Sequence, residues 1–430
     1  ISLTVDKNAF EGVSYLDRAA LVVTRQELVK LETLIHAMLD CTRDLAGAPA
    51  LAAGVKSAAS SRSRSQGFML PVMDPDHLLG AFFAAASLAV GFLICIYIDP
   101  PGHTGWFWMT GIVAMIVAGT QQLKASVLGK SIGQASVIGL LAYVFIMPQL
   151  STFVGLGTLL FISMVVVCYF FTGLFRMAGM IAVINEISVS NPQTYNFAAM
   201  ANAFIFTIAV FFFVFAMSYM LRSPRPEKAV LGLVGRFFRS AAFLVARLEP
   251  AQGRPTTILG RWRIAFHWQE LWSLPAKISA WGRFIDRKKF PANTPEQVQD
   301  LVTNLQTLAY RLDELHDAGG MGQAVSLTRA LGEDIHTWRM DMANAFDKWS
   351  RHPDAHATAD LQGSLDKRLD TLETRIEMLL GQTDTTELSH EDGRNFFRLM
   401  GGIRGVAAAA VGCAGSSGTI DWAQWREEMF

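Results

Sequence analysis

Between Leu78 and Leu221 the chain runs 144 residues with only five charged side chains, Asp99, Lys124, Lys130, Arg176 and Glu186. A water-soluble fold cannot hide so long an interval at that charge density, so this part of the chain is expected to lie in a bilayer. Both flanks carry ordinary charge. The formal net charge of zero over 430 residues is therefore an average over unlike parts.

A spanning helix needs about 20 apolar residues to cross about 30 Å of hydrocarbon. Six stretches of the interval suit that role. Leu78–Ile98 ends at Asp99-Pro100-Pro101-Gly102, where proline cannot continue a helix. Trp106–Gln121 is the second, and Ser131–Leu150 and Phe153–Phe171 follow, parted by a short corner after Pro148. The fifth, Gly173–Val189, is short and interrupted by polar residues, whereas the sixth, Phe197–Leu221, is the longest and carries no charge.

Basic residues set the orientation, because Lys and Arg are retained on the cytoplasmic side. Lys124 and Lys130 fall between the second and third spans, Arg176 opens the fifth, and Arg222, Arg225 and Lys228 follow the sixth. The alternate connections contain none. This pattern predicts six spans with both flanks in the cytoplasm. Trp106, Trp108, Tyr195 and Tyr219 lie near the predicted interfaces, where aromatic rings with a polar edge are favoured.

Outside the membrane the chain reads as helical. Residues 1–46 form an amphipathic segment with Leu21, Leu28, Leu31, Ile35 and Met38 at helical spacing, and 47–77 are an Ala/Gly/Ser-rich flexible linker. In residues 222–289, 14 Lys or Arg face four acids, with Trp262, Trp268, Trp272 and Trp281 interleaved. Two heptad-like stripes follow, Leu301, Leu305, Leu308, Leu312 and Leu315, then Leu365, Leu369, Leu372, Ile376 and Leu379. Their spacing suits helices packed at a shallow angle, as in a coiled coil. The fold class predicted is thus all-α, with six transmembrane helices and a cytoplasmic antiparallel helical bundle over 222–430.

Several motifs carry two readings. Arg176 and Glu186 are ten residues apart, about 15 Å of rise on one helix, so they do not pair with each other there. Either both reach opposite interfaces, or one faces a water-filled path and takes a proton or an anionic substrate. Asn185, Asn191, Asn196 and Asn202 line a cavity or join helices by hydrogen bonds. Gly155, Gly157 and Gly173 read as close-packing positions. The four cysteines, Cys41, Cys95, Cys168 and Cys413, lie far apart and read as small apolar fillers. His352, Asp354, His356 and Asp360 match no known zinc spacing, so no metal or other cofactor is expected. No phosphate loop is present, and no nucleophile, base and orienter are legible as a set, so no enzyme is expected. The basic, Trp-rich stretch directly follows a span, which favours anionic lipid headgroups over nucleic acid as its partner.

Particular residues of the membrane interval carry a family resemblance. The first span ends in a proline-containing turn leading to Gly105-Trp106-Phe107-Trp108. The second ends in Gly119-Thr120-Gln121-Gln122-Leu123-Lys124, and the third opens with Gly129-Lys130-Ser131-Ile132-Gly133-Gln134. Over residues 75–225 the chain resembles one half of the fusaric acid resistance, or aromatic acid exporter, family, which is itself similar to plant aluminium-activated malate transporters. That resemblance implies export of aromatic or hydrophobic carboxylates, proton coupling and a periplasmic adaptor protein. It also implies that a first membrane half precedes residue 1, where the chain starts with Ile1 rather than Met; otherwise a homo-oligomer supplies the second half. On this expectation Lys124, Lys130 and Arg176 gather the anion, Glu186 exchanges the proton, and Trp106, Trp108, Phe171 and Tyr195 offer stacking surfaces. A passive organic-anion channel and a membrane-anchored scaffold with a partner-binding bundle are the alternatives.

Overall fold

The computed structural model describes residues 72–98, 104–119, 125–172, 197–221, 225–248, 257–286, 288–320, 330–353 and 390–426, with separate helical positions within 21–39, 176–183 and 363–378. No strand occurs among the described residues. The chain divides into two compact units, one of Met73–Pro226 and one of Ile1–Val72 with Glu227–Phe430.

The first unit contains the apolar helices. In α1, Pro75–Tyr97, the Asp74 carboxylate accepts from Asp76 N at 2.9 Å and proline occupies the first turn. That cap starts the helix three residues ahead of Leu78, so the end of the expected 47–77 linker is helical. Then come α2 (Thr104–Gly119), α3 (Ala125–Phe145) with a tight turn over Met147–Gln149, α4 (Phe153–Phe170) and α5 (Phe197–Leu221). Pro148 sits in the tight turn and ends α3 before Leu150. Of the expected fifth span, Arg176, Gly179, Met180 and Val183 are described, and all are helical.

Among the described residues, four stretches are long and apolar enough to cross a membrane: Pro75–Tyr97, Ile132–Gln149, Phe153–Phe170 and, in the second unit, Asn395–Gly418. The first three bury little against protein, Phe153–Phe170 only 6% of its residues. Phe153, Phe161, Tyr169 and Phe170 are among the most exposed side chains of the chain. Each large apolar side chain left in water forgoes about 1.5–3 kcal/mol of burial, a loss that hydrocarbon removes. The first unit therefore suits a bilayer as its solvent.

Glycine brings α1 and α2 together. A Cβ at Gly91 would sit 3.1 Å from Thr110 Cγ2, and one at Gly111 would sit 3.0 Å from Leu88 Cδ1. Small residues at such crossings let helices approach in lipid. Gly157, expected to do the same, meets nothing within 4 Å, and Gly155 touches only Leu150 and the Thr152 cap of its own helix. Gly173 lies outside the described residues.

The second unit holds α6 (Pro226–Val245), α7 (Ile258–Gly282), α8 (Pro295–Gly319), α9 (Gly332–Arg351), α10 (His390–Gly418) and α11 (Trp422–Arg426) around one core. The stripe Leu301, Leu305, Leu308, Leu312 and Leu315 is fully buried there. Its main partner is α10, whose Gly402 and Gly412 lie close against Leu315 and Asn304. Asn395–Gly418 is half buried, and Phe396, Ile403, Val406 and Ala410 face the same core. Its apolar surface is thus already covered by protein, which makes α10 a bundle helix rather than a span.

Side-chain clasps close the bundle. Thr294 and Gln297 form a reciprocal cap at the start of α8, and Gln297 Nε2 also donates to Thr419 O at 2.8 Å. Asn293 Nδ2 donates to Asp421 O at 3.1 Å, while Asp421 N donates to Asn293 Oδ1 at 2.7 Å. The second heptad stripe, Leu365 to Leu379, lies outside the described residues; nearby, Arg375 Nε stands 3.2 Å from Asp334 Oδ2 of α9. Cys95, Cys168 and Cys413 are free thiols, and Cys41 lies outside the described residues.

Candidate functional site

The apolar helices bury a few polar side chains on the faces they turn to one another. On α1 the buried positions are Gly80, Phe83, Ser87 and Gly91, a stripe at helical spacing. On α2, Trp106 and Thr110 lie one turn apart on the inward face with Met109, Val113 and Ala114. From α5, Phe206, Val210 and Val214 complete this cluster, and from α3, Ile132. Ser136, one turn beyond Ile132, is equally buried.

Four polar atoms in this packing have no hydrogen-bond partner among the described residues: Ser87 Oγ, Thr110 Oγ1, Ser136 Oγ and Trp106 Nε1. Ser87 and Thr110 are both fully buried, at 0% exposure. A hydroxyl on an apolar helix ordinarily returns to a carbonyl of the preceding turn, as Thr158 Oγ1 does to Val154 O at 2.8 Å. Leaving a buried polar group unmet costs about 1–3 kcal/mol. The α1–α2 crossing concentrates this cost, since Gly91 touches Thr110 directly while Ser87 lies one turn away on the same face.

Aromatic rings stand beside the polar line. The Trp106 indole lies 6.0 Å from the Phe206 ring and 6.1 Å from Phe213, both tilted. Trp106 is thus part of the helix packing and not of an interfacial belt. Trp108, two residues on and so about 200° around the helix, is 48% exposed and points away from the cluster. Chemically the seam offers the hydroxyls of Ser87 and Thr110, with that of Ser136 on α3 as a third, an indole donor and apolar ring faces. These suit a solute with an aromatic or aliphatic body and a polar head.

The residues named from sequence distribute unevenly around this seam. Trp106 is within it. Arg176 is exposed, its Nε donating to Phe171 O at 2.9 Å, and Phe171 itself is exposed. Lys130 lies on α3 two residues before the buried Ile132, with its side chain outside the described set. Lys124, Asn185, Glu186 and Tyr195 lie outside the described residues, as do Asn191 and Asn196; Asn202 is exposed on α5. Ser87, Thr110 and Ser136 were not singled out from sequence. Their signal was present as small polar residues at helical spacing with glycine, Ser87 to Gly91 and Thr110 beside Gly111.

Elsewhere, His352 is exposed and Pro353 buried, with 354–360 outside the described residues. No group of three or more His, Cys, Asp or Glu able to hold a metal occurs among the described residues. No protein-family model matches this chain, and no curated protein matches it in sequence.

Proposed function

We propose that the chain is a bacterial inner-membrane efflux transporter that moves aromatic or hydrophobic carboxylates out of the cytoplasm in exchange for protons. The observation that carries this reading is the set of unmet polar atoms on Ser87, Thr110, Ser136 and Trp106 inside otherwise apolar helices. Buried polar atoms without partners in such surroundings call for an explanation, and a path or binding place for a polar solute supplies one. A carboxylate in the seam would accept from the two hydroxyls and the Trp106 indole N–H, while its apolar body rested on Trp106 and Phe206.

The wider arrangement follows from the charge pattern. Six spans, the fifth over 173–189, put Lys124, Lys130 and Arg176 at the cytoplasmic side, where they would concentrate an organic anion. Glu186, toward the far side, is the proton-exchanging group in this scheme. The bundle of the second unit then lies in the cytoplasm. A second membrane half, from an upstream segment or a second copy, and a periplasmic adaptor would complete the machine.

Uptake of labelled hydroxybenzoate or fusarate into inverted vesicles, with and without an imposed pH gradient, tests the proposal. Accumulation that requires the gradient, and that disappears in Glu186→Gln, is the expected result. Equilibration without accumulation identifies a passive anion channel. Failure of either compound to move, with protein in the membrane, overturns the carboxylate reading.

A further inference from the structure

Two arginines of the second unit converge on one aromatic ring, with no acidic partner among the described residues. Arg247, two residues past α6, places its Cζ 3.8 Å above the Phe243 ring, and Arg263 of α7 places its Cζ 5.2 Å from the same ring. His267 lies against the ring's face, 3.9 Å away centre to centre and tilted by 31°, with Nδ1 3.0 Å from Ser240 Oγ. Both guanidiniums are exposed, and no carboxylate pairs with either among the described residues. Glu270, the acid of α7, is engaged elsewhere, with Arg236 at 2.6 Å.

His267 is pushed down to about 4, first by burial and then by Arg263 and Arg247. A neutral imidazole between two fixed cations leaves the pair free to take an anion from outside. Guanidinium forks match phosphate oxygens better than any other cation in proteins.

An apolar wedge stands beside the cations. α7 begins at Ile258 with a Thr257 cap, and Ile258 and Leu259 are 66% and 70% exposed. One turn on come Arg261 and Trp262, with Trp262 stacked on Phe266 at 5.9 Å. Aliphatic side chains set next to arginines and a partly exposed tryptophan repeat the makeup of surfaces that rest at the headgroup and acyl boundary. Nucleic acid would call for aromatic platforms where Ile258 and Leu259 stand. Of the four tryptophans in this stretch, Trp268 is in the core and takes no part.

We infer that Arg247 and Arg263, gathered on Phe243, bind the phosphate of an anionic phospholipid while Ile258 and Leu259 enter its acyl layer. The second unit thereby acquires a lipid-dependent contact separate from the seam of the first, independent of what the protein carries.

Hydrogen–deuterium exchange on the full chain in nanodiscs tests this, comparing phosphatidylcholine alone with phosphatidylcholine containing phosphatidylglycerol. Slower exchange over residues 257–266 in the anionic discs is expected, with α8 unchanged as the internal control for folding. Arg247→Ala with Arg263→Ala should remove the protection, each cation contributing roughly fivefold to surface attachment. Leu259→Ser, which keeps every charge, should weaken it. Equal exchange in both discs, or protection that survives the double substitution, overturns the inference. Protection by inorganic phosphate or by a single-stranded oligonucleotide in neutral discs also overturns it, in favour of a free-anion or nucleic-acid site.

Discussion

Arg236 holds Glu270 with both arms of its guanidinium, Nη2 at 2.6 Å from Oε1 and Nε at 3.0 Å from Oε2, binding α6 to α7. The two partners differ in depth: the glutamate side chain is 5% exposed and the arginine 26%. Removing the shallow partner strands a buried charge, whereas removing the deep one frees a long side chain that can reach water. Arg236→Ala should therefore destabilise the second unit by about 3 kcal/mol, with Glu270→Ala clearly milder. Thermal unfolding of the two variants in detergent, followed by tryptophan fluorescence, checks the order; the reverse order would contradict it.

Glycines in the same bundle give a paired test. A Cβ at Gly235 would stand 2.7 Å from the Ser350 carbonyl oxygen, part of the α9 backbone, while Gly232 on the same helix meets nothing within 4 Å. Backbone cannot swing aside as a side chain does. Gly235→Ala should cost about 1–3 kcal/mol by forcing α6 from α9. Gly232→Ala should be neutral or stabilise by up to about 1 kcal/mol, through helix propensity alone. The difference in melting temperature between the two alanine variants reads the result directly.

Acid should weaken the second unit through His267. Its folded value is near 4 against an ordinary 6.5, so as pH falls the unfolded chain takes up a proton first. The associated loss of stability begins near pH 6.5 and is complete near pH 4. His267→Gln should flatten that part of a stability-against-pH curve while leaving the curve above pH 7 unchanged. An identical acid slope in the variant would show that other groups set it.

In the first unit, function and stability are expected to pull apart at Thr110. Thr110→Val replaces an unmet buried hydroxyl with a methyl of nearly the same shape, which should stabilise by about 1–3 kcal/mol. If the seam carries solute, the same substitution lowers efflux. A variant that melts higher and transports less supports the seam as a path; one that melts lower shows that the hydroxyl has a structural partner.

Much of this architecture was readable from residue patterns because large apolar side chains at fixed spacing announce themselves. The Leu301 to Leu315 stripe and the apolar spans are of that kind, and the structure places the stripe in the core. Helix α10, inside the helical bundle expected over 222–430, was not singled out because Gly402, Gly405, Ala407 and Ala410 pack by being small, and closeness of backbone leaves no mark in a hydrophobic pattern. The seam escaped for the same reason. A Ser or Thr in an apolar run reads alike whether it bonds back to its own helix, as Thr158 does, or stays unmet, as Thr110 does. Only the neighbouring helix decides, and that neighbour is distant in the chain.

The pairing of α8 with α10 also sets an order of events during synthesis. The leucines of α8 leave the ribosome well before their cover, since α8 ends at Gly319 and α10 starts at His390. At about 5–20 residues per second, that gap lasts roughly four to fourteen seconds. For that time the nascent chain displays a leucine face that lacks its main cover. Messages truncated before the codon for His390 would leave it exposed for good, so such products should be captured by chaperones or cleared by proteases rather than accumulate as shortened chains.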